Sequence, residues 1–125
     1  MTIKLFVLVV TCVTIGALAQ LAMKIGMSGP AIQATLASGV GANTVWTILR
    51  NPLVIGGLFA YVVGAGLWLF VLSKADLSLV FPFTGLGFIL TMLFGWLFLN
   101  ENVGFDRMMG TLIIAFGAYL VAKSS

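Results

Sequence analysis

The sequence contains no histidine and a single cysteine, Cys12, in 125 residues. No disulfide can form within the chain, and no set of Cys and His ligands is present for zinc, haem or a Cys–His nucleophile. Charge is nearly as scarce. Only 7% of residues are Asp, Glu, Lys or Arg, against about 25% in an ordinary soluble domain, so there is too little polar material to cover a water-facing surface. The three acidic residues are scattered, which leaves no paired carboxylates, and there is no Ser-His-Asp set or glycine-rich phosphate loop. Enzymatic chemistry, a bound metal or cofactor and a nucleotide-driven pump therefore have nothing to work with on this chain. Six basic residues give a net charge of only +3, without a basic patch interleaved with aromatics, and nucleic acid is excluded as a partner.

What is abundant is apolar: 62% of the chain is hydrophobic and its mean hydropathy is +1.22. A helix needs about 20 apolar residues to cross a bilayer, and four such runs fill nearly the whole length. They lie at about residues 5–24, 52–72, 77–99 and 104–122. The first could be taken for a signal peptide, but it lacks a convincing small-residue cleavage site and is long enough to stay as an anchor. The second opens on Asn51-Pro52, a helix-start signal. The expected fold is an all-α membrane protein, a four-transmembrane-helix bundle forming a single domain over 1–125.

Between the first two spans, glycines at 26, 29, 39 and 41 with Pro30 argue against one continuous helix. The segment Asn43–Arg50, with Asn43 as its candidate N-cap and Trp46 as an aromatic anchor, reads as a short interfacial helix. The turns Ser73–Asp76 and Asn100–Val103 are tight, which predicts antiparallel packing of consecutive spans. Basic residues divide evenly between the two ends: Lys4, Lys74 and Lys123 against Lys24, Arg50 and Arg107. Counting Lys24 as part of a span would favour the first set and place both termini in the cytoplasm; insertion in both orientations is the alternative.

Candidate packing and gating positions follow from the small residues. Gly56, Ala60 and Gly64 recur every four residues in the second span, and Gly110 and Gly117 share a stripe in the fourth, so both read as helix contacts. Phe81-Pro82-Phe83 interrupts the third span one turn in. Pro82 removes a backbone donor, and with Gly85 and Gly87 just after it the segment reads either as a packing kink or as a gate beside a cavity.

The polar residues near or inside the spans are the candidate ligand contacts. Gln20 and Lys24 lie with Gly16 on one face of the first helix. An amide facing lipid is costly, so Gln20 should point inward, toward another helix or a ligand. Lys24 either snorkels to the headgroups or attracts an anionic one, and Asn43 and Arg50 near the same boundary would complete a polar, cationic mouth. Glu101 closes the third helix on that side, as a solvated turn residue or as an ionic partner at the mouth. Tyr61 needs a partner for its hydroxyl at mid-membrane.

The segment Trp68–Val103, with its LS-x-x-DLS-x-x-x-PF stretch and Asn100-Glu101 turn, followed by GTLIIAFGAYLVA and preceded in the first helix by GALAQLAMK, resembles the four-helix members of the drug/metabolite transporter superfamily. It resembles most the EamA-type proteins, including the small subunits of the flippase that moves aminoarabinose linked to undecaprenyl phosphate. More distantly it is similar to the small multidrug resistance exporters. In that family a glutamate in the first helix is the drug and proton site, and aligning the Met-Lys pair puts Gly16 there instead.

The resemblance implies a multi-pass protein of the bacterial inner membrane, surrounded by membrane lipids and paired with itself or with a similar small subunit. It implies a flippase for a polyprenyl-phosphate lipid, in which Lys24 and Arg50 meet the phosphate, Gln20 and Glu101 the sugar or its amine, and Pro82 with Gly85 lets a cavity open. A proton-coupled exporter of small cations and a structural subunit of a larger transporter are the alternatives. A flippase calls for a lateral opening, an exporter for an ionisable group in an aromatic pocket, and a structural subunit for a filled core with Gln20 satisfied by a neighbour.

Overall fold

The structure is a computed structural model, and it describes residues 2–124. Four helical spans are long and apolar enough to cross a membrane, and no strand occurs among the described residues. The first, α1 (Ile3–Met27), is capped by Thr2, whose Oγ1 accepts the Leu5 N–H at 3.3 Å. Its 25 residues rise about 37 Å, more than the hydrocarbon thickness, so it tilts or carries its last turn into the headgroups. Lys24 falls inside this helix.

The connection to the second span holds two short helices, α2 (Pro30–Ser38) and α3 (Ala42–Arg50). The expected interfacial helix is α3. It starts two residues earlier than its sequence signal, with Gly41 as N-cap in place of Asn43; the Gly41 N–H donates to Thr44 Oγ1 at 3.3 Å. The additional helix α2 begins on Pro30, which is pre-organised for a first helical position, and its AIQATLAS run holds good helix formers that the flanking glycines obscured. Gly39 separates α2 from α3 at φ +118°, a conformation that suits glycine alone.

The second span, α4 (Pro52–Leu72), is tied to the end of α1 through Asn51. Asn51 Oδ1 accepts the Leu53 and Val54 N–H groups at 3.0 and 3.2 Å, while its Nδ2 donates to the Gly26 carbonyl at 3.2 Å. The third span is broken as Pro82 dictates. It runs as α5 (Leu77–Val80), a 3-10 turn over Phe81–Phe83, and α6 (Thr84–Phe98). Thr84 Oγ1 donates to the Phe81 carbonyl at 2.7 Å, supplying a donor at the break. The fourth span is α7 (Phe105–Lys123). Threonines within the spans turn their hydroxyls onto carbonyls one turn back, as Thr11 does to Val7 and Thr14 to Val10, both at 2.8 Å, because lipid offers no partner.

Packing departs from simple antiparallel neighbours. α1 packs along α4 on one side and against α6 on the other, and α7 packs on α6 and the 3-10 turn. α4 and the third span meet chiefly at their connecting turn and diverge from there, each leaning on α1. Glycines explain the close approach: Gly64 of the four-residue stripe is one of them, and Gly57, outside that stripe, is the other. A Cβ on Gly57 would come within 2.6 Å of Met23 Cγ and 2.9 Å of the Ala19 carbonyl, and one on Gly64 within 3.3 Å of Ile15. Gly56, Gly110 and Gly117 face open space, so within this chain they are not helix contacts. The core gathers at one end, where Val9, Cys12 and Val13 of α1 meet Val71, Val80 and Phe83; Phe6 abuts the Phe83 ring edge-on at 6.0 Å.

Candidate functional site

The divergence of α4 from α6 opens a groove of about 560 Å³. α1 supplies its floor with Cys12, Val13, Gly16, Ala17 and Gln20; α4 supplies one wall with Tyr61, Gly64, Ala65 and Trp68; the third span supplies the other with Phe81, Thr84, Gly87, Phe88 and Thr91. The positions recur at helical spacing on each element: 12, 16 and 20 on α1, 61, 65 and 68 on α4, and 84, 88 and 91 on α6. One stripe of each helix therefore faces the same space.

The lining is apolar and aromatic with a few neutral hydrogen-bonding groups, and it contains no Asp, Glu, Lys or Arg. Gln20 is exposed, and no side chain or backbone group among the described residues bonds its amide. Its two donors and its acceptor are open to the groove, as is the hydroxyl of the half-exposed Tyr61. Thr84 and Thr91 spend their protons on the Phe81 and Phe88 carbonyls, at 2.7 and 3.1 Å, and keep acceptor capacity. Gly16 would meet nothing within 4 Å of a Cβ, so the floor is open where it lies. Such a surface is chemically suited to a neutral polar group between aromatic faces and offers no fixed charge.

The sequence candidates separate into two places. Gln20, Tyr61 and Gly87 line the groove. Lys24, Asn43, Arg50 and Glu101 do not; all four are exposed on the loops and helix ends beyond the Gln20 end of the groove. Asn51 draws the end of α1, with Lys24, toward the start of α4, beside Arg50. Arg50 lies over the Trp46 ring at 5.9 Å. Asn43 sits at the opposite end of α3. Glu101 folds back over α6, its N–H donating to the Gly95 carbonyl at 2.9 Å and its carboxylate lying against Gly95; the turn is made possible by Asn100 at φ 54°. Among the described residues no ion pair joins Glu101 to Lys24 or Arg50.

Pro82 and Gly85 stand behind the groove wall. Gly85 lets α7 approach, since a Cβ there would lie 3.1 Å from Ile114, and Gly87 lets α6 approach Val13 at 3.3 Å. Cys12, Trp68, Phe81, Thr84, Phe88 and Thr91 also line the groove and are not among the polar candidates that the sequence offers. A signal existed for part of it: extending the Gln20–Gly16 stripe one turn back reaches Cys12, and Thr84, Phe88 and Thr91 share a stripe of α6. Nothing local, however, says that these stripes face each other.

The chain matches the EamA-like transporter family over residues 3–123. Among curated proteins it is 31% identical over 109 residues, 83% of this chain and 81% of the relative, to the "Probable 4-amino-4-deoxy-L-arabinose-phosphoundecaprenol flippase subunit ArnF" of Serratia proteamaculans. To the ArnF subunit of the same description from Sodalis glossinidius it is 32% identical over 88 residues, 66% of this chain and 68% of that one. An ArnE subunit so described, from Aeromonas hydrophila, is 29% identical over 76 residues, 61% of this chain and 67% of the relative. No solved structure matches the chain significantly.

Proposed function

Since the chain belongs to the EamA-like transporter family and is a multi-pass membrane transporter, we propose that it is a flippase subunit of the bacterial inner membrane that moves a polyprenyl-phosphate-linked sugar. The headgroup passes through the groove between α4 and α6 while the polyprenyl chain stays in the surrounding lipid. The observation that carries this reading is the groove itself, uncharged, open between two spans and floored by the unpartnered Gln20 amide. Sugar hydroxyls exchange water for Gln20, Tyr61 and the threonine oxygens, and Trp68, Phe81 and Phe88 offer faces to the ring.

Lys24 and Arg50 meet the phosphate as it reaches the boundary, Asn43 at the far end of α3 adds a polar group to the same rim, and Glu101 receives an amine on the sugar. Arginine's planar fork suits phosphate and lysine acts as a point charge. The broken helix around Pro82, flanked by Gly85 and Gly87, gives the wall its freedom to move. The names of the relatives, each a subunit, support a working pair with a similar small membrane protein or with a second copy. Two alternatives receive less support. A proton-coupled exporter of the small multidrug resistance kind uses a carboxylate, and the lining holds no Asp or Glu; a structural subunit requires a filled core in which Gln20 has a partner.

The reading is tested in proteoliposomes containing the purified protein with and without a second small subunit, following transbilayer movement of a labelled undecaprenyl-phosphate aminosugar. Gln20→Leu is expected to slow movement roughly three- to tenfold, the worth of one hydrogen bond. Wild-type movement no faster than in empty vesicles under both conditions, or a Gln20→Leu variant at the wild-type rate, would overturn it.

A further inference from the structure

A second cavity, of about 1070 Å³, lies at the other end of the α1–α4 pair. Lys4, in the first turn of α1, and Lys74, just beyond α4, stand at its rim with Asp76; Val7, Thr11 and Phe70 line the slope that descends from them. It faces away from the groove already described. At 3.6 residues per turn, the Lys4–Val7–Thr11 stripe is roughly 150° around α1 from the Cys12–Gly16–Gln20 stripe, and Phe70, nine residues from Tyr61, is on the far side of α4.

The shape and chemistry of this cleft change together along its length. At the membrane boundary it carries two ammonium groups against one carboxylate. No ion pair among the described residues engages either lysine, and Lys74 Nζ rests 5.7 Å from the centre of the Phe70 ring. Below the rim the walls are largely apolar, made by Val7, Leu8, Phe70 and Leu79, and the Thr11 hydroxyl donates its proton to the Val7 carbonyl at 2.8 Å. A cationic rim above an apolar slope, on a surface facing lipid, complements an amphiphile with an anionic head.

From this juxtaposition we propose that the cleft is a binding site for an anionic phospholipid, its phosphate held between Lys4 and Lys74 and an acyl chain laid along Val7, Thr11 and Phe70. The site is independent of the translocation groove and of whatever passes through it. A free phosphate would use the rim alone and leave the slope empty, whereas a lipid uses both.

Native mass spectrometry of the full chain in mild detergent, titrated with dioleoyl phosphatidylglycerol or dioleoyl phosphatidylcholine, tests the assignment. Wild type is expected to retain phosphatidylglycerol in preference, and the Lys4→Gln/Lys74→Gln double variant to lose about tenfold or more in that retention, since each lysine near a headgroup contributes a few-fold. Lys123→Gln, at the same end but outside the cleft, should leave retention unchanged. Val7→Gln, which keeps both lysines, should also weaken it. Equal retention of both lipids, an equal loss in Lys123→Gln, or displacement of the lipid by millimolar inorganic phosphate would each overturn the proposal. So would a double variant that changes oligomeric state while its lipid occupancy stays the same, for the occupant would then be a second copy of the chain.

Discussion

Single residues decide how closely α1 and α4 can pack, and the distinction between neighbouring glycines is sharp. Gly57 sits against Met23 and the Ala19 backbone, while Gly56 faces open space. Gly57→Ala should therefore push the helices apart, with an overpacking cost of about 1–3 kcal/mol, whereas Gly56→Ala should be neutral or slightly stabilising through helix propensity. Thermal unfolding in detergent checks the pair, and equal midpoints would refute the packing assigned to Gly57. Asn51 is the other decisive residue, because it caps α4 and bonds the end of α1 at once. Replacing it by Ala should cost about 1–2 kcal/mol and loosen the junction of α1 with α4, seen as faster amide exchange at Leu53 and Val54. The Asn-Pro pair was legible as a helix start from sequence; its second bond, 25 residues back along the chain, was not, because capping is local and that contact is tertiary.

At the scale of elements, the third span is the most informative. A proline inside an apolar run of crossing length predicts a break, and the break is there, as a 3-10 turn between α5 and α6. Pro82→Ala restores a backbone donor at that position and removes a helix-interior penalty of about 3 kcal/mol. The expected outcome is a continuous helix with slower amide exchange at Phe83–Gly85; if the turn belongs to a moving wall, transbilayer movement slows as well. Unchanged exchange would mean that packing of Phe83 into the core, and not the proline, sets the break. The short helix α2 shows the opposite case. Its sequence is helix-compatible, but nine residues between glycines give too few turns for periodicity to register, and tertiary contacts hold it in place: Ile32 is buried and Gln33 Nε2 donates to the Met27 carbonyl at 2.7 Å.

For the whole molecule, the arrangement of spans creates the groove: α4 and α6 share α1 as a support and separate beyond their turn. If transport uses that separation, bridging it should stop transport. On a Cys12→Ser background, Ala65→Cys together with Phe88→Cys places one thiol on each wall. A short bis-methanethiosulfonate cross-linker, which forms a disulfide with each thiol and releases methanesulfinate, is expected to reduce movement strongly in the double variant, with recovery on reduction, and to leave each single variant unaffected. Full activity of the bridged protein would show that the substrate takes another route.

The sequence by itself determined that this chain lives in a bilayer, spans it four times, breaks its third span at Pro82 and belongs among small transporters, since hydropathy, run length, proline chemistry and family motifs are all local properties of the chain. Only the tertiary structure decided that Gly57 and not Gly56 meets α1, that Gln20 and Tyr61 share a groove while Lys24, Asn43, Arg50 and Glu101 stand outside it, and that two lysines 70 positions apart flank a second cleft. The reason is geometric. A shift of one residue turns a side chain by about 100° on a helix, and in lipid every apolar face is at home, so the pattern of hydrophobicity fixes which segments are helices and leaves the choice of contacting faces to packing.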